Sequence, residues 1–302
     1  MFELWVPVTL AAAFLQNLRS ALQKHLKGRL STSGATFSRF GFGLPIAALY
    51  ALMLHFVGGF AFPAPGAAFF LWVTLGGLTQ IAATAALVYL FGLRNFAVGT
   101  AYSKTETVQA AIFGAVFLGD HLSAPAIFAI LLSLAGVVTI SLARSDGGLC
   151  RLNPARIERS TLIGLASGAL FGVSAVAYRG ASLSLDGPHF LMQAGYTMAW
   201  ATAIQTAVML VFLRLKEPGQ IGRIVAAWRV AALVGLAGAL GSIGWITAMT
   251  LQNVAYVRAV GQVELIFTFI ASTVFFKERS TAVELVGIVL IAAGILLLLL
   301  KG

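Results

Sequence analysis

Glu106-Thr-Val-Gln-Ala-Ala-Ile-Phe-Gly-Ala-Val-Phe-Leu-Gly-Asp120 and Glu264-Leu-Ile-Phe-Thr-Phe-Ile-Ala-Ser-Thr-Val-Phe-Phe-Lys-Glu278 are the two stretches that decide how this chain is read. Each opens on an acid set in an apolar run and closes on a second acid beside a basic or titratable residue, His121 or Arg279. The offset of 158 that carries Glu106 onto Glu264 also carries Asn95 onto Asn253, Phe117 onto Phe275 and Gly136 onto Gly294. It holds without a gap from about residue 90 to 142. A similar offset of 155 sets Leu10-Ala11 beside Leu165-Ala166 and Lys24 beside Arg179. The chain therefore reads as two like-built halves.

Composition says what solvent those halves face. Of 302 residues, 59% are hydrophobic and 10% charged, where soluble domains carry about 25% charged residues. The mean hydropathy is +0.93. A chain so poor in charge cannot cover a water-facing surface, whereas lipid accepts apolar side chains. A bilayer core of about 30 Å takes about 20 apolar residues as a helix. Runs of that size fall at about 4–27, 33–57, 67–91, 97–118, 124–143, 161–180, 190–213, 229–250, 254–276 and 281–300. The reading is an all-α membrane protein of ten transmembrane helices in two five-helix repeats, residues 1–143 and 161–302, joined by a basic linker at 144–160. The first run has neither the basic start nor the small-residue cleavage site of a signal peptide, so it reads as a retained span.

Five is an odd number, so the second half enters the membrane upside down. The basic residues agree. Fourteen lysines and arginines fall after odd-numbered spans, and only Arg179 and Lys301 fall on the opposite side. Basic residues mark the cytoplasmic side, which places both termini outside the cytoplasm of a cell inner membrane. The loop after the second helix of the first half, Gly58 to Pro63, has no positive charge, while its counterpart carries Lys216 and Arg223. An inverted repeat predicts that flip.

Several functions are excluded. The net charge of +10 comes from short clusters between apolar runs, not from a basic face or tail, so nucleic acid is not the partner. One cysteine, Cys150, forbids an internal disulfide. The histidines at 25, 55, 121 and 189 lack metal-ligand spacing. No phosphate loop, nucleophile elbow or HExxH motif occurs, so neither ATP hydrolysis nor a resident cofactor is expected.

Chemistry concentrates on the ionisable residues within the spans: Arg19, Arg39, Lys104, Glu106, Arg258 and Glu264. Such groups are costly in hydrocarbon unless they face a wet cavity or a partner. Glu106 and Glu264 each lie 11 residues after a matched asparagine, about 16 Å along a helix and so near the bilayer midplane. A carboxyl there can exchange protons during transport. Tyr102, Ser103, Gln109 and Ala110 share the face of Glu106, a polar stripe expected of a cavity wall. Lys104 stands two residues from Glu106 and points to a different helix; it contacts substrate or makes a structural ion pair. Arg258 and Gln262 share a face, and Arg258 reads as gate or ligand contact. Asn17, Gln80, Tyr178 and Trp245 are further cavity candidates, with packing as their alternative role. Arg19 and Arg39 read as snorkelling side chains. Asp120 and Glu278 read as helix caps with ion pairs, and Thr281-x-x-Glu284 as a capping box. Gly235, Gly238, Gly241 and Gly244 recur every third residue, a close-packing stripe.

Phe117-Leu118-Gly119-Asp120 with Gly136-Val137, and Phe275-Phe276-Lys277-Glu278 with Gly287 and Gly294, resemble the drug/metabolite transporter superfamily and its ten-helix family of two EamA-type repeats. Asp120 stands for the family's Glu, and Lys277 for its Gly. The resemblance implies a basket of helices, its central cavity lined by the first four of each half, with the fifth and tenth at the periphery. It also implies alternating access, with export of amino acids or other metabolites common. The expectation is a secondary transporter that exports a small polar metabolite, an amino acid or related zwitterion, with protons as a coupling ion. The alternatives are uptake or exchange of a sugar or nucleotide-type metabolite, and a membrane-embedded enzyme acting on lipid-linked substrate. The latter wants acids or histidines clustered at the membrane surface, which the sequence does not offer.

Overall fold

A computed structural model describes residues 3–90, 103–143, 159–187, 189–274 and 281–301. Every regular element among them is helical. In chain order these are α1 (Trp5–Lys27), α2 (Thr32–Gly41), α3 (Leu44–Phe56), α4 (Ala67–Leu90), α5 (Glu106–Leu118), α6 (Ala124–Ala143) and α7 (Arg159–Leu183). They continue with α8 (Phe190–Lys216), α9 (Gln220–Ala226), α10 (Trp228–Leu251), α11 (Val254–Gly261), α12 (Val263–Val274) and α13 (Ala282–Lys301). Among the described residues, six segments are long and apolar enough to cross a membrane: 32–56, 67–90, 162–183, 190–216, 228–251 and 282–300. The helices 106–118 and 124–140 are shorter and apolar. The chain is a multi-pass, all-helical membrane protein. Its outer faces suit lipid, with Leu71, Val116, Phe128, Val289 and Leu300 all well exposed.

The helices are not all as continuous as the apolar runs suggested. The second run bends between α2 and α3, where a Cβ on Gly235 of α10 would come within 2.4 Å of Phe42 Cβ and 2.9 Å of Gly43 N. The run 254–276 breaks at Gln262 between α11 and α12. The run 97–118 turns at Lys104-Thr105, just before α5. The expected linker 144–160 lies outside the described residues except for its last two, which already belong to α7. The short α9 was not foreseen, because its seven residues are amphipathic and too short to register as a span.

Packing follows pairs. Helix α1 packs along α10, and α4 along α7; α5 packs on α7, while α11 and α12 pack on α1; α3 meets α8, and α5 meets α11. Helices α6 and α13 lie mainly against each other. Their backbones approach closely because glycines face backbone: a Cβ on Gly136 would be 2.5 Å from Gly287 O, and one on Gly294 would be 2.7 Å from Ala129 O. In lipid, where apolar burial gives no drive for association, such close backbone packing holds helices together. The glycine stripe on α10 works the same way, Gly241 against Leu15 and Gly244 against Ala12 of α1.

Candidate functional site

The breaks put two acids at helix starts. Glu106 is the first residue of α5 and Glu264 the second of α12. Backbone N–H groups of a first helical turn have no intrahelical acceptors, so a carboxylate there is favoured by the helix dipole. Both acids are buried, 8% and 7% exposed. Each is answered by a cation from the other segment. Lys104 Nζ contacts Glu264 Oε1, and Arg258 Nε lies 3.0 Å from Glu106 Oε1. Lys104 and Glu106 thus point to different partners, as their spacing required.

These groups surround one small cavity, lined by Gln16, Lys104, Glu106, Thr107, Trp245, Arg258, Gly261, Gln262 and Glu264. Gln16 Nε2 donates to Glu264 Oε2 at 2.9 Å, and Asn17 Nδ2 approaches Glu264 O at 3.4 Å. Gln262 Nε2 donates to Thr107 Oγ1 at 2.9 Å, tying the two breaks together. Arg258 lies over the Trp245 ring, 4.5 Å from guanidinium carbon to centroid, a favourable cation–π distance. Trp245 needs Gly261 to lie where it does, since a Cβ on Gly261 would sit 2.3 Å from the ring. Trp245 Nε1 is buried and has no hydrogen-bond partner among the described residues. The space a water can occupy is about 20 Å³, room for about one water and far below the roughly 300 Å³ of a small-molecule pocket.

The other expected residues divide. Gln80 and Tyr178 are buried, but in a network of their own: Tyr178 OH donates to Gln80 Oε1 at 3.1 Å, and Gln205 Nε2 donates to that oxygen at 2.9 Å and to Tyr178 OH at 3.0 Å. Gln109 faces Gly168 of α7 rather than the cavity: a Cβ there would be 3.3 Å from Gln109 Oε1. That oxygen has no partner among the described residues. Tyr102 lies outside the described residues. Sequence reasoning missed Gln16 and Thr107 as site residues, although Gln16 interrupts the first apolar run and Thr107 follows Glu106.

The reading of Arg19 and Arg39 is corrected. Neither snorkels: they are 3% and 5% exposed. Arg39 donates to Thr84 Oγ1 at 2.9 Å and to Ser242 Oγ at 3.2 Å, and it stacks over Phe40. These short-range partners come from three different helices, so no single-helix pattern reveals them. Asp120 does carry an ion pair, at 3.6 Å, but with Arg179. Arg179 also donates to the backbone carbonyls of Met249 and Gln252 and to Asn253 Oδ1. That knot joins the end of α7, the α10–α11 turn and the start of the α5–α6 loop. The capping box forms as read, with Thr281 N donating to Glu284 Oε2 at 3.0 Å and Glu284 N to Thr281 Oγ1 at 3.2 Å.

Residues 159–300 match the sequence model of the EamA-like transporter family. A solved crystal structure of a protein is similar over 98% of this chain and 96% of its own, with a TM-score of 0.72 and 16% identity, which shows a shared fold. No curated protein matches the chain by sequence.

Proposed function

We propose that this chain, which belongs to the EamA-like transporter family of the drug/metabolite transporter superfamily, is a secondary-active transporter that carries a small polar metabolite by alternating access. The observation that carries this is the crossed pair of ion contacts, Lys104 with Glu264 and Arg258 with Glu106, on two broken helices around one small cavity. Transporter sites are built where discontinuous helices meet at the interface of two repeats. Each ion contact spans that interface. A substrate with both an ammonium and a carboxylate can take the place of each partner in turn, so an amino acid or related zwitterion fits best. Export across the cell inner membrane is the direction adopted, on family likeness.

Ten spans in two inverted five-helix halves remain the proposed architecture. What supports it is the pairing. An exchange of the first five spans with the last five turns the α1–α10 contact into α4–α7, and α5–α7 into the contact of α11 and α12 with α1. The same exchange, by the offset of 158, turns Gly136 against Gly287 into Gly294 against Ala129. Both termini are proposed to lie outside the cytoplasm, on the basic-residue bias.

Protons are the proposed coupling ion, taken by Glu106 or Glu264 when substrate leaves. In proteoliposomes, amino-acid counterflow is expected to accelerate under an imposed pH gradient. Equal rates with and without the gradient would end the coupling, and no counterflow of any polar metabolite would end the transporter reading.

A further inference from the structure

We propose that Arg19 and Arg39, with the hydroxyls of Thr84 and Ser242, form a subsite for an anionic group, a carboxylate or phosphate, carried by the solute in addition to its zwitterionic part. The inference rests on the transporter reading and names its substrate class more narrowly. The two acids of the cavity are already neutralised by Lys104 and Arg258. Arg19 and Arg39 remain in excess. Among the described residues neither has a carboxylate within ion-pairing distance, and the hydrogen bonds of Arg39 go only to neutral hydroxyls. Arg19 Nη2 reaches only Ser20 Oγ, at 3.3 Å, and its Nε is buried without a partner.

The two side chains are neighbours over one glycine. A Cβ on Gly238 would lie 3.1 Å from Arg39 Cγ and 3.5 Å from Arg19 Cδ. A guanidinium cannot shed its proton, so burial cannot be relieved by titration. Two like charges repel strongly in a poorly polarisable interior, and each has been stripped of water. An anion that joins the pair during the working cycle relieves that repulsion. Planar guanidinium forks match carboxylate and phosphate oxygens two at a time. The position suits a solute. Gly238 lies two helical turns from the cavity residue Trp245, about 10 Å along α10, and Arg19 lies one turn from Gln16, which holds Glu264. A solute bridging both places is a small organic anion a few bonds long, such as an acidic amino acid or a dicarboxylate.

The test is thermal unfolding of the purified full-length protein in neutral detergent at fixed ionic strength. The probes are inorganic phosphate, succinate, leucine and phosphatidylglycerol. Phosphate or succinate is expected to raise the Tm by several degrees, where leucine raises it less. Arg19→Gln and Arg39→Gln are expected to weaken anion binding at least tenfold, and Arg39→Lys to keep part of it. Glutamine keeps a donor for Thr84 and Ser242 but removes the charge, so the ligand-free Tm is expected to hold or rise; a purely structural arginine would give a fall. Should both variants fail to fold, calorimetric competition on the unaltered protein decides: phosphate is expected to displace succinate, and independent or absent binding overturns the proposal. It is also overturned by a shift with neither anion, by a shift that survives both substitutions, or by a response to phosphatidylglycerol alone, which would make the site one for lipid. Leucine counterflow without anion binding would sink this inference and leave transport standing. Anion binding without counterflow of any solute would do the reverse.

Discussion

Lys104, Glu106, Arg258 and Glu264 are four charges held in two crossed pairs, and the crossing is what makes them testable one at a time. Removing one partner of a buried ion pair leaves an uncompensated charge and costs about 3–5 kcal/mol, whereas replacing both with neutral groups of similar size is close to neutral. Glu106→Gln is therefore expected to lower the Tm in detergent, and Glu106→Gln with Arg258→Gln to recover most of the loss. The double variant is nevertheless expected to lose transport at least tenfold, as judged by initial rates in proteoliposomes. If it folds and transports normally, the pair is a structural clasp. The acids themselves were legible in the sequence, because an ionisable residue inside an apolar run is rare and two of them fell in one repeat frame. Their partners were not. Lys104 and Glu264 are 160 positions apart, and nothing in the local pattern of either names the other. Arg19 and Arg39 were misread for the same reason. Their positions near the ends of apolar runs fitted snorkelling, and only the packing of α1, α2, α4 and α10 shows both head groups held inside the bundle.

At the scale of the element, the breaks matter more than the helices. The apolar runs predicted continuous spans at 97–118 and 254–276, and hydropathy averaged over a span does not register a break of one or two residues such as Lys104-Thr105 or Gln262. The turn at Gln262 starts a new helix there, with Glu264 in its first turn, where the helix dipole favours a carboxylate. Gly261 precedes it and makes room for Trp245. Gly261→Ala would put a methyl 2.3 Å from that ring. It is predicted to displace the indole from Arg258, quench or shift its fluorescence, and destabilise the fold by about 1–3 kcal/mol. An unchanged emission spectrum would contradict the packing described. At the periphery, Gly287→Ala is expected to separate α13 from α6, since the added Cβ would lie 2.8 Å from Gly136 O. The lower Tm is expected without loss of substrate affinity, because neither helix lines the cavity. The capping box at Thr281 and Glu284 was legible from its four residues alone. Thr281→Ala is predicted to cost about 1 kcal/mol and to speed hydrogen exchange in the first turn of α13.

Considered whole, the molecule is a helical bundle that exposes large apolar side chains on its surface and buries a small set of charged ones among apolar packing. Composition announced that apolar exterior. What the sequence could not announce was the size of the cavity, because that depends on distances between side chains far apart in the chain. Here the cavity has room for about one water. On one face, the Arg179 knot joins α7 to the α10–α11 turn and to Asp120. Elsewhere, Ser31 donates to Glu217, joining the start of α2 to the end of α8. In the alternating access proposed above, these two sets of contacts are the ones expected to open in turn. Arg179→Gln is accordingly predicted to favour the state open at the knot, with faster exchange of solute from that side and a weaker grip on it. The central claim is that one cavity is reached from each side in turn. Thr107→Cys in a Cys150→Ser background, labelled with a membrane-impermeant maleimide in right-side-out and in inverted vesicles, tests it most directly. The account predicts labelling from both sides, slowed from both by substrate; a cysteine that reacts from one side only, or from neither, would contradict it.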